Sequence, residues 1–189
     1  MRAVVACAVS LILTGCASSP PTRFYTLDAV PAQSRAPQPG APLQVAAVHM
    51  PASLDRREIV SQSGPNRLEV SDENRWGAPL AEMTRRVLTE DLLERLPAGA
   101  VILPDQPAPA NANALVLDIL RFERDSSGEV ILRGSWALLP PQSNAPLAMR
   151  NVDLRAAAGA DYAAQAQAMS GLVGQLADQI AEALPPVAR

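Results

Sequence analysis

Lysine is missing from this chain: all 16 basic residues are arginine, set against 19 acidic residues for a formal charge of −3. A mild acidic excess without basic clusters lacks the electrostatic footprint of a nucleic-acid-binding protein. Cysteine occurs only at Cys7 and Cys16. Nothing downstream of residue 16 can therefore form a disulfide, a zinc–thiolate site or a cysteine nucleophile. His49 is the single histidine, and no Gly-x-Ser-x-Gly elbow exists to present a serine to such a base. His-Glu-x-x-His, calcium-loop, Gly-x-Gly-x-x-Gly and phosphate-binding-loop patterns are also missing. The sequence thus implies no catalytic set, no metal and no cofactor. His49, near a strand end, reads as a packed or edge-exposed imidazole. Asp55, Glu58, Glu69, Asp72 and Glu73 stand beside arginines in loops and hairpins, where solvated charge fits better than an acid/base pair.

Long apolar runs are scarce as well. Ala3–Leu13 is the clearest, and its eleven residues span roughly 16 Å as a helix, short of the ~20 residues a membrane crossing needs. Arg2 precedes it and Leu13-Thr14-Gly15-Cys16 follows at once. That order is a secretory signal ending in a bacterial lipobox. Small Thr14 and Gly15 admit a peptidase to the backbone, and the Cys16 thiol accepts a diacylglycerol before becoming the new N-terminus. Each buried CH₂ of the added chains contributes ~0.8 kcal/mol to anchoring. In Gram-negative lipoprotein sorting an Asp after the cysteine favours inner-membrane retention, and Ala17 here points to the periplasmic leaflet of the outer membrane.

Beyond the signal (residues 1–15), residues 16–42 read as a lipidated N-terminus and a Pro/Ser/Ala-rich tether. Phe24-Tyr25-Thr26-Leu27 interrupts it with strand chemistry that pins the chain to the domain. Residues 43–189 are long enough for one domain with a core. Leu43–Met50 alternates as a strand, with Leu43, Val45 and Ala47 on one face. Glu58–Gln62 and Arg67–Ser71 flank a turn at Ser63-Gly64-Pro65-Asn66. Pro79–Leu96 is a helix with Leu80, Met83, Val87, Leu88, Leu92 and Leu96 at spacings of three and four, and with Glu82–Arg86 and Asp91–Arg95 pairs expected on its wet face. Val101–Leu103 is a short strand. Ala114–Arg124 and Glu129–Leu139 form a hairpin about Asp125-Ser126-Ser127-Gly128. Ala145–Arg155 supplies a further strand, and Tyr162–Leu184 is the closing helix. The expected fold class is α+β: a two-layer sandwich of a mainly antiparallel sheet with two amphipathic helices on one face, the opposite face open.

One segment stands out as an interaction candidate. Arg75-Trp76 lies directly before the first helix, and Arg and Trp are enriched at interface hot spots. The plainer alternative is that Trp76 staples the start of the helix to the core. Arg56-Arg57 poses the same choice between a partner contact and a solvated turn.

Taken together, Phe24-Tyr25-Thr26-Leu27 after a lipidated cysteine, Leu54-Asp55-Arg56-Arg57-Glu58-Ile59-Val60, Arg67-Leu68 and Arg75-Trp76-Gly77-Ala78-Pro79-Leu80 resemble the ABC-type transport auxiliary lipoprotein family. Asp28 is a minor departure, since many relatives run there into Pro or a small residue. The resemblance implies a periplasmic lipoprotein partnering an MCE-domain protein and inner-membrane permease components in moving phospholipids between the two membranes. It would act as a non-catalytic docking subunit that supports membrane integrity, with energy coupling left to its partners. A lipid carrier that itself encloses an acyl chain is the alternative. A hydrolase built on His49 or on the Asp/Glu residues of the 55–73 region is the weaker third reading. The periodicity does not require a homo-oligomer, although a ring matching an MCE tube is conceivable.

Overall fold

The computed structural model describes residues 20–185 except 35, 144 and 160; the signal segment and Cys16 lie outside them. In chain order the elements are β1 (Arg23–Tyr25), β2 (Leu43–His49), β3 (Glu58–Gly64), β4 (Arg67–Trp76), α1 (Leu80–Arg95), β5 (Val101–Ile102), β6 (Asn113–Arg124), β7 (Glu129–Leu139), β8 (Ala148–Ala157) and α2 (Tyr162–Ala183). The helices and most strands fall where the hydrophobic spacing places them.

The β6–β7 hairpin forms the middle of the sheet. Asp125 Oδ1 accepts hydrogen bonds from the Ser127 and Glu129 backbone N–H groups and from the Ser127 hydroxyl, which holds its carboxyl below the usual carboxylate range. Gly128 takes the positive φ of 88° that closes the turn. Leu115, Leu117 and Phe122 on β6 face Leu138, Trp136 and Leu132 on β7, and all six are buried in the core. β8 extends this hairpin antiparallel to β7.

On the other side of β6, the sheet departs from expectation. β2 runs parallel to the first half of β6, and β3 joins it in parallel at Ser61–Arg124. β5 is parallel to β2, and β1 is parallel to β4. The eight strands therefore make one mixed, curled half-barrel sheet: its longest ladders, β6–β7 and β7–β8, are antiparallel as expected, and the parallel pairings of β1, β2, β3 and β5 are what the expected sandwich did not include. The physical reason is that hairpins pair neighbours in sequence, whereas parallel partners are joined by long crossovers that leave no local signature. Both helices pack on the inner face and on each other, sharing one core with residues from β2, β3, β6, β7 and β8.

Two irregularities reset the side-chain alternation. The β2 register shifts between Val45 and Ala47, so Val48 joins the inner face in place of the expected Ala47. In β6 the register shifts between Ile119 and Arg121, leaving Leu120 exposed. Opposite this shift stands Gly134, where any Cβ would collide with the Asp118 carbonyl oxygen.

Candidate functional site

The first helix starts with an unsatisfied end. Pro79 at its N-cap offers no side-chain acceptor, and Asp55, from the loop after β2, accepts from Ala81 N–H at 3.1 Å instead. This long-range cap gathers the arginine-rich segments into one corner. Arg56 Nε donates to Glu58 Oε2 at 2.8 Å and holds the Glu58 carboxyl below its usual range. Arg75 lies opposite Glu58 in register, with Phe24 on its other side. The Trp76 N–H donates to the Arg57 carbonyl.

Trp76 is only 2% exposed and belongs to the core. It is the staple at the start of the helix, and the exposed-anchor reading does not describe it. Its indole is large enough to close the core where β1 and β4 meet α1. Arg56 and Arg57 are exposed and Arg75 is half-buried. The exposed aromatic at this corner is Phe24, one residue from Tyr25, which is Trp76's partner in register. Phe24 was legible only as part of a strand.

His49 sits exposed at the end of β2, in register with Asp118, and Asp118 in turn pairs with Ser135. Asp118 therefore separates imidazole from hydroxyl by two strand spacings, about 10 Å, and the order His–Asp–Ser cannot place the imidazole against the serine. Among the described residues, no group of His, Cys, Asp or Glu is arranged to hold a metal.

A second polar assembly was hidden in the sequence. Asp91 and Arg95, expected as a wet-face pair, are instead buried at 0% and 3% exposure. Their spacing with Leu88 places them on an inner stripe of α1, the signal that would have revealed this. Arg95 Nε donates to Asp178 on α2 at 2.6 Å, and its Nη1 reaches Asp91 Oδ1 at 3.3 Å. On the wet face Arg86 pairs with Glu90 instead of the expected Glu82.

These charges clamp the segment following β1 across the helix pair. Val30 N–H donates to Asp91 Oδ1 at 2.8 Å, Arg95 donates to the Val30 carbonyl, and Ala36 N–H donates to the Arg95 carbonyl. Arg86 donates to the Leu27 carbonyl, and Asp28 N–H donates to Ser170 Oγ. Leu27 is fully buried. Gly174 makes room for the crossing, since a Cβ there would stand 3.1 Å from Val30 Cβ and 3.3 Å from the Arg95 guanidinium. The close approach is therefore to this strap. Residues expected to give tether-like reach are tied down from Arg23 onward.

Two clefts flank the strap. One of about 330 Å³ is lined by Ser34, Pro37, Arg95, Asp178 and Glu182. Another of about 540 Å³ runs between Phe24–Pro31 and α2 and mixes apolar groups with Thr26, Asp28, Gln167 and Ser170. Both volumes fall within the range of small-molecule sites, but each cleft is open and partly polar. Among the described residues, no helix is long and apolar enough to cross a membrane.

Comparison with known proteins adds the following. A family model described as the ABC-type transport auxiliary lipoprotein component matches residues 25–181. A crystal structure of an uncharacterized protein superposes with a TM-score of 0.71 at 22% identity, covering 85% of this chain and 97% of the other. A crystal structure of a Xanthomonas campestris protein gives a TM-score of 0.68 at 20% identity, covering 84% and 92%. These likenesses establish the fold. No curated protein matches the chain.

Proposed function

The chain belongs to the ABC-type transport auxiliary lipoprotein family, and on that premise we propose that it is a lipid-anchored periplasmic subunit of an MCE/ABC-type transport system. It docks the distal end of an MCE assembly at the outer membrane and carries out no chemistry of its own. The observation that carries this reading is the family match across nearly the whole folded unit, residues 25–181, downstream of a lipobox pattern that ends at Cys16. The order His49–Asp118–Ser135 across three adjacent strands, which holds the imidazole away from the hydroxyl, supports a non-catalytic role. Phospholipid transport between the membranes is the activity it supports.

Two measurements test the proposal. Replacing Cys16→Ala should move the chain from the outer-membrane fraction to the soluble periplasm with its circular dichroism unchanged. The lipidated chain should co-purify with an MCE-domain protein from the same cells, and its deletion should raise detergent sensitivity. Loss of both co-purification and the sensitivity phenotype would refute the docking role, while a Cys16→Ala chain that stays in the outer-membrane fraction would refute the anchor. Lipid recovered by mass spectrometry from the purified domain would favour the carrier alternative.

A further inference from the structure

The anchor and the fold together restrict which surface faces the bilayer. Six residues lie between Cys16 and Arg23, and the seven steps they span extend to at most about 25 Å. The reach ends there, because β1 pairs with β4 over Arg23–Tyr25 and Leu27 is fully buried two residues later. Whichever surface surrounds β1 must lie close to the membrane that holds the lipid.

That surface is apolar on the side away from the helices. On β3, Ile59 points into the core, so Glu58, Val60 and Gln62 lie on the other side of the sheet, where Val60 is covered by its neighbours to 5% exposure. Their partners on β4 are Arg75, Val70 and Leu68, and Arg75 is in turn paired with Phe24 on β1. Phe24 is 63% exposed, Leu68 48% and Val70 39%. A lone exposed apolar side chain needs no explanation. Three on one face, beside the point where the anchor chain enters the fold, call for one.

We propose that this β1–β4–β3 face rests on the phospholipid surface, with Phe24 in the interfacial layer and Arg75, its partner in register on the same face, beside it. The inference rests on the reading of Cys16 as a lipid anchor. An aromatic ring flanked by arginine is the side-chain pairing favoured at headgroup depth. The nearby arginines Arg23, Arg56, Arg57, Arg67 and Arg75 are offset by Asp55, Glu58, Glu69, Asp72 and Glu73. Contact therefore depends on apolar insertion and not on attraction to anionic lipid. Even a weak contact suffices, since the anchor holds the face at high effective concentration. The orientation turns the face carrying Phe24 to the lipid and leaves other faces of the domain free to meet a partner.

The test uses the full lipidated chain in mixed phosphatidylethanolamine–phosphatidylglycerol vesicles containing acyl-brominated lipid, which quenches nearby indoles. The native Trp76 and Trp136 are 2% and 1% exposed and supply a constant, shielded background. Phe24→Trp and Leu68→Trp report on the proposed face. Leu103→Trp, just past β5 at the opposite end of the strand order, is the control. Both face reporters should be quenched at least about two-fold more than the control, with little change at high salt. Equal quenching at all three sites in a chain that floats with the vesicles would overturn the docked face and leave the anchor intact. Failure to float would overturn the anchor and the docked face together. Strong quenching abolished by salt would also overturn the proposal, since it would mark an electrostatic contact.

Discussion

Replacing Asp91→Asn should change how the stability of the domain depends on pH. Asp91 is fully buried, and burial pushes its carboxyl from 3.8 up to about 6, against the opposing pull of the Val30 N–H and the Arg95 charge. The folded chain thus binds a proton between about pH 4 and 6 that the unfolded chain does not. The resulting stabilisation is fully present below the unfolded value of 3.8 and is lost as pH rises through about 6. At ~1.36 kcal/mol for each pH unit between those two values, the contribution comes to about 3 kcal/mol. Glu58 and Asp125, with lowered values, act in the opposite direction, adding stability above their unfolded values that is lost on acidification. The Asn variant keeps an acceptor for Val30 and loses the titration. At pH 7 it gives up one partner of Arg95, which retains Asp178, and no longer buries a carboxylate. Urea midpoints measured from pH 7 to 4 on the chain lacking residues 1–16 provide the assay. Stability of the wild type relative to the variant should rise by up to about 3 kcal/mol on acidification. Parallel curves would refute the account of Asp91 as a carboxyl raised by burial.

Two further outcomes follow from packing. Gly134→Ala should cost about 1–3 kcal/mol through collision with the Asp118 carbonyl, read as a lowered urea midpoint; an unchanged midpoint would mean that the β6 bulge gives way freely. Leu27→Ala should cost about 2–5 kcal/mol, even though the residue lies in a segment whose composition reads as tether. Hydrogen exchange should then show faster exchange at the Val30 and Ala36 amides, which donate to Asp91 and Arg95, and unaltered protection there would refute the strap as a packed element.

Much of the fold was legible because its determinants are local. Periods of two and 3.6 mark the strands and helices, Asp125 to Gly128 spell a turn, and Leu80 to Leu96 show which side of α1 is dry. The candidate site was legible only in outline. Arg56, Arg57, Arg75 and Trp76 do converge on one corner, yet their exposure was undetermined, since a tryptophan before a helix suits either a core or an interface. Asp55 reads as solvated charge because the helix end it caps lies 26 residues away.

Sequence alone marked the hairpins, the two helices and the lack of a catalytic motif, and carries the expectation of an export signal with a lipobox cysteine, all of which depend on residue types at short spacing. Tertiary structure decided the parallel pairing of β2 and β3 with β6, the burial of Asp91 and Arg95, and the fastening of Leu27, Val30 and Ala36 across the helices. It also decided that Phe24, and not Trp76, is the aromatic left facing outward. Each of these depends on which distant segment covers a residue, and burial is a property of the neighbours in space rather than of the residue itself.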